Sequence, residues 1–280
     1  ITNKKGLIVD ETILTATKTV DLDNSMSVTE IQNIINEQPR NLNGNYLIFQ
    51  FADGNYDFIS GGISFSGFDG GYLEVQGNTN NTDVENLTVK FHGDQASSNG
   101  LVVFVNCSAR CHLFKIALEQ DSTSVTQQRS LRFISVAHGL VNSCSFNSLS
   151  TNRANEGIFA NGGRTRINDC KFNNLEKAIY SVQNSTHSNN NTEFTGGTAP
   201  DSGLVGIEGA IITQESTQIN GHTNDTFISS GAVIINKTVL TKDTTIAITQ
   251  SGGESTTQCV VSGHTSATFN ASDYSNDAQD

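Results

Sequence analysis

Hydrolysis of a glycosidic bond needs two carboxyl groups projecting from one surface about 5 to 9.5 Å apart, one to protonate the leaving oxygen and one to act as base or nucleophile. The central part of the chain offers Asp169 and Glu193 for such work, with Lys171 between them, while Glu156, Arg164 and Arg166 sit near turns of the same coil. Arginine forks grip sugar carboxylates or sulfates through paired hydrogen bonds, and Tyr180 is an aromatic side chain close by in sequence. Glu156, Arg164, Arg166, Asp169, Lys171, Tyr180 and Glu193 are therefore the candidate carbohydrate-binding set. No catalytic residue is assigned. His92, His112, His138 and His187 are single and unclustered, and His222 and His264 recur within a short repeated motif, so no metal site is expected. The glycine pairs 61–62, 70–71 and 162–163 read as turns, no phosphate loop is present, and no cofactor is implied.

What positions these residues is a repeat. Val141-Asn-Ser-Cys-Ser-Phe-Asn-Ser-Leu149 returns 26 residues later as Ile167-Asn-Asp-Cys-Lys-Phe-Asn-Asn-Leu175, and a weaker copy ends at Phe194. Alternate residues of a strand share a face, so Asn142, Cys144 and Phe146 are expected to point inward, with Asn168, Cys170 and Phe172 inward one period on. Stacking the copies in register gives interior Cys and Phe columns, Phe194 continuing the latter, and an Asn ladder at a turn. The same alternation sends Ser143, Ser145, Asp169, Lys171 and Glu193 outward, and Lys171 beside Glu193 reads as a surface ion pair. A period in the low to middle twenties fits three short strands per coil of a parallel β-helix; a propeller blade needs about 40 residues or more, and antiparallel sandwiches show no such register.

Composition agrees. The 280 residues carry a net charge of −12, only 16% are charged and 35% hydrophobic, and Asn, Ser and Thr make up about a third. Low charge argues against disorder, and the many β-branched and Phe residues favour strands. An acidic chain with dispersed Lys and Arg predicts neither nucleic-acid binding nor adhesion to anionic membranes, and no apolar run is long enough to span a bilayer. Cys107, Cys111, Cys144, Cys170 and Cys259 lack paired spacing and are expected as buried free thiols. The one helical segment begins with the capping box Ser27-Val-Thr-Glu30 and runs through Ile31, Ile34 and Ile35 towards Pro39. Near the other end, the Leu7–Thr15 pattern returns at Val233–Thr241, and Gly221–Phe227 returns at Gly263–Phe269. The expected organisation is an N-terminal β segment over 1–26, a β-helix with its helix over 27–230, and a β-rich segment over 231–280 that partly repeats the first.

The helix Thr29–Leu42, the strand Tyr46–Phe51, the turn Ala52-Asp-Gly-Asn-Tyr56 and the segment Gly70–Gly77 together resemble the opening of pectate-lyase-like β-helix proteins, particularly those of bacteriophage tail fibres and tailspikes. That resemblance implies a right-handed parallel β-helix capped by the helix. It also implies a homotrimer in a virion tail, in contact with other tail proteins and with bacterial surface polysaccharide. The Asp cluster for calcium and the Arg-rich segment of the lyases are missing from this sequence. The expected function is thus structural and receptor-binding, with a polysaccharide depolymerase or a bacterial surface adhesin as alternatives.

Overall fold

The computed structural model describes residues 13–58, 61–93, 100–121, 128–149, 155–188, 192–195, 202–214, 218–220, 224–228, 233–236, 248–250, 260–262 and 274–276. The Leu7 segment, Gly221 to Thr223, residues 263–273, Cys259 and the expected boundary at 229–231 lie outside them.

Short Val-, Ile- and Phe-rich runs separated by polar turns form strands, and every pairing between the described strands is parallel. They fall into three ladders. The first ladder starts with Lys18–Leu22, Tyr46–Phe51, Tyr72–Gln76 and Arg110–Phe114. It continues through 138–142, 164–168, Ser185–Ser188, Ile211–Gln214, Val233–Asn236 and Val260–Ser262. The second holds Gly54–Asp57, Val89–Gly93, Ala117–Gln120, Ser145–Ser148, Lys171–Asn173, Glu193–Thr195 and Gln218–Asn220. The third begins with Ile63–Ser66, Val102–Val105, 131–134 and 158–161. Lys177–Val182, Ser202–Ile207, Asn224–Ile228, Ile248–Gln250 and Tyr274–Asn276 extend it. From Ile63 to Asn236 the chain visits third, first and second ladder in that order again and again, each visit hydrogen-bonded to the one before. The strands beyond Val233, read from sequence as a segment apart, add rungs to the first and third ladders within the same chain.

Stacking in register brings like side chains together at the rung spacing of about 4.8 Å. Phe146 lies on Phe172 with ring centroids 4.7 Å apart and planes 5° apart, and Phe172 lies on Phe194 at 4.9 Å and 16°. A second interior stack runs Phe65, Phe104, Phe133 at 5.1 and 5.3 Å. Cys144 and Cys170 are fully buried free thiols, as are Cys107 and Cys111 nearly so.

The corners explain where simple alternation fails. Ser143 and Asp169 sit between the first and second ladders with φ of +52°, a left-handed conformation that turns the chain and resets which side faces in. Asn142 and Asn168, expected inside, are therefore half-buried on the outer side, while Cys144 and Cys170 return to the core. The amide-to-amide bond between rungs forms instead from Asn173 Nδ2 to Asn147 Oδ1 at 2.8 Å, three residues beyond each thiol. Ser145, expected on the surface, is only 2% exposed. Lys171 bonds both Glu193 and, at 3.4 Å, Glu85 on the loop before Val89, so that loop lies across the intervening rungs.

One α-helix, α1 (Val28–Asn36), is closed at its start by the expected capping box: Ser27 Oγ accepts from the Glu30 amide, and Glu30 accepts from the Ser27 amide. Ile31 and Ile35 are fully buried in the common core. Gln32 meets Ser64 with both halves of its amide, Nε2 donating to Ser64 O at 3.0 Å and Oε1 accepting from Ser64 N at 2.8 Å. These are the two bonds a neighbouring strand would make, and they satisfy the first strand of the third ladder, an edge otherwise open to association. Arg40 Nη1 donates to Ile35 O and Gln38 O, satisfying carbonyls at the helix end.

Two outcomes check this packing. Phe172→Ala, which empties the middle of a three-ring stack, should lower unfolding free energy by about 3 to 5 kcal/mol in urea titration, and a loss below about 1 kcal/mol would contradict its interior position. In Gln32→Ala the Ser64 amide should exchange with solvent markedly faster than in the parent chain, while Phe104 and Phe133 amides keep their protection.

Candidate functional site

The sequence-derived set does not converge on one surface. Glu156 opens the third-ladder part of the strand Asn155–Asn168 and is fully buried, not part of an exposed groove. Its two oxygens accept from Arg129 Nε at 2.6 Å and Lys177 Nζ at 3.0 Å. The Arg129 guanidinium lies 4.0 Å above the Phe159 ring and Lys177 Nζ 5.0 Å above the Tyr180 ring. Burial by itself would lower the Lys177 pKa; the Glu156 carboxylate outweighs it and the value is raised. Glu156 is thus a structural counter-ion for two cations, and Tyr180 is a wall of the same cluster. Lys171 and Glu193 pair on the second ladder, and Asp169 occupies the corner next to it. Arg164 and Arg166 share a face of the first ladder.

That face carries a group the sequence reading did not assemble. Register aligns Tyr46, Tyr72, Arg110, His138 and Arg164 as one column along the stack. Beside it run Glu74, His112, Leu140 and Arg166. Tyr46 and Tyr72 stack at 4.3 Å with planes 8° apart. Arg110 continues the stack, its guanidinium 5.2 Å from the Tyr72 centroid and its Nη1 donating to Tyr72 Oη at 3.3 Å. His112 Nδ1 stands 3.2 Å from Glu74 Oε1, and Arg166 Nε donates to Asn168 Oδ1 at 3.1 Å. Arg110, His138, Arg164 and Arg166 are exposed. The three first-ladder segments 110–114, 138–142 and 164–168 contain three Arg and two His and no Asp or Glu. In a chain of net charge −12 this is a local reversal of sign. The signal was available: the 26-residue offset that takes Cys144 to Cys170 also takes His138 to Arg164.

Elsewhere the polar groups are committed. His92, isolated in sequence, lies between Asp57 at 3.4 Å and Asp121 at 3.9 Å, one carboxylate facing each ring nitrogen. Cys107 has its pKa lowered to about 7 by a hydrogen bond from the Cys111 thiol, yet it is only 1% exposed. Among the described residues no group of three or more His, Cys, Asp or Glu side chains is arranged to hold a metal ion, and no helix is long and apolar enough to cross a membrane. No protein-family model, curated protein or solved structure matches the chain.

Breaking the buried ionic cluster tests its structural role. Glu156→Gln leaves Arg129 and Lys177 facing a neutral amide in a desolvated site, and the expected loss of stability by thermal or urea unfolding is about 3 to 5 kcal/mol. A change within about 0.5 kcal/mol, the usual range for a surface substitution, would place Glu156 in solvent.

Proposed function

We propose that the chain is a right-handed parallel β-helix with α1 covering its N-terminal end, and that it serves as the shaft and receptor-binding surface of a tail fibre or tailspike. The observation that carries this reading is the repeated order of ladders, in which every visit of the chain is stacked on the previous one in parallel register. Such stacking builds a rigid rod whose outer faces are long, straight and periodic, suited to holding an extended ligand or to spacing a tip from a particle. The Gln32 contact and the burial of Ile31 and Ile35 support α1 as the cap. The sequence resemblance to phage tail proteins supplies the remainder: a homotrimer in the virion tail, joined to other tail proteins and engaging bacterial surface polysaccharide.

Binding without cleavage is favoured because two carboxylates of the candidate set are held by cations. Glu156 is buried between Arg129 and Lys177, and Glu193 is paired with Lys171. A carboxylate whose oxygens are taken up by cationic donors is not free to reach a glycosidic oxygen.

Sedimentation and product analysis on the intact chain test the proposal together. The expected result is a trimer that binds bacterial surface polysaccharide and releases neither reducing ends nor unsaturated sugars from it. Release of either product would replace the receptor-binding reading with a depolymerase, and a monomer at all concentrations would remove the trimeric assembly.

A further inference from the structure

The first-ladder face gathers exposed guanidinium groups. Arg110 and Arg164 stand two rungs apart, on either side of His138 in one column, with Arg166 beside Arg164. Among the described residues none of the three arginines forms an ion pair; Arg110 bonds a tyrosine hydroxyl and Arg166 an asparagine oxygen. Elsewhere Lys90, Arg129, Lys171 and Lys177 are each paired with a carboxylate. A bound anion would supply these arginines with the counter-charge that the described residues do not.

Resting on the receptor-binding reading above, we infer that the ligand of this face is an anionic polysaccharide, with uronate or sulfate groups, lying lengthwise along the column Arg110, His138, Arg164 and flanked by Arg166. A polymer running with the stack meets Arg110 and, two rungs on, Arg164 with Arg166 beside it, and guanidinium groups take carboxylate or sulfate in two parallel hydrogen bonds. A neutral glycan fits less well, because its usual anchor is an open aromatic face. Tyr46 and Tyr72 cover one another, and Arg110 lies over the remaining side of Tyr72, which leaves Tyr46, 37% exposed, as the outer ring of the stack. The stack therefore orients Arg110 and contributes one platform at the end of the track. A nucleic acid is disfavoured for a different reason. Duplex DNA carries one charge per about 1.7 Å of axis, far denser than this column can neutralise, and it would meet a chain of net charge −12 on every other side.

The test uses the full chain and four immobilised polymers: polygalacturonate, dextran sulfate, unmodified dextran and single-stranded poly-dT. The variant is Arg164→Gln with Arg166→Gln, both at exposed positions, with circular dichroism and sedimentation checked against the parent. The inference expects retention on polygalacturonate or dextran sulfate, none on dextran, and weakening as salt is raised. It also expects the variant to bind about tenfold more weakly or worse, the loss of two charge-assisted contacts. Equal retention on dextran and dextran sulfate, or an unchanged variant, would overturn the anionic-ligand inference while leaving a receptor-binding protein. Tighter retention on poly-dT than on either acidic polysaccharide would assign the face to nucleic acid instead. Retention on none of the polymers would overturn this inference and count against the receptor-binding reading as well.

Discussion

Among the described residues, each strand inside a ladder is held by backbone hydrogen bonds to the strand one visit earlier and one visit later, always parallel. Parallel pairing cannot be closed by a hairpin, so the chain must travel away and return before it can pair again. Here it returns after passing through two other ladders, and the core, the corners and the outer columns all follow from that spacing. Because neighbouring rungs lie about 4.8 Å apart, identical residues at equivalent positions are forced into contact. Phenyl rings turn that contact into stacks, and amides turn it into hydrogen bonds between rungs.

The same constraint makes the ends and corners the places that need special residues. An end strand has a row of unsatisfied backbone groups, and Gln32 meets two of these, Ser64 N and Ser64 O, with its side-chain amide, while Ile31 and Ile35 of α1 are buried in the core. Corners need left-handed residues, and the chain uses Lys115, Ser143 and Asp169 at one and Asn106, Ser135, Gln183 and Glu208 among those at others. Residues with a Cβ adopt that conformation at a cost, so the ladders on either side must hold it in place.

Charge is arranged by face. The third ladder places a carboxylate out of water and surrounds it with Arg129, Lys177, Phe159 and Tyr180, a cluster whose members neutralise one another. On the second ladder Lys171 bridges Glu193 and Glu85, tying a loop across several rungs. On the first ladder Arg110, Arg164 and Arg166 have no carboxylate partner among the described residues.

Much of this was determined by the sequence. The capping box placed α1, the 26-residue offset placed Cys144 over Cys170 and Phe146 over Phe172, and low charge with many β-branched residues set the class. These are local or exactly periodic signals, which need no knowledge of distant contacts. The tertiary structure decided the rest. Asn142 and Asn168 turned outward because the following residue is left-handed, a backbone choice that Ser143 and Asp169 do not announce by type. Ser145 is buried where a surface position was expected, and Glu156 is held inside by cations from the strands before and after it. Arg110, His138 and Arg164 are far apart in sequence and differ in type, so only the register of three separate visits makes them neighbours, and with them the one face of the described chain where positive charge gathers without an answer.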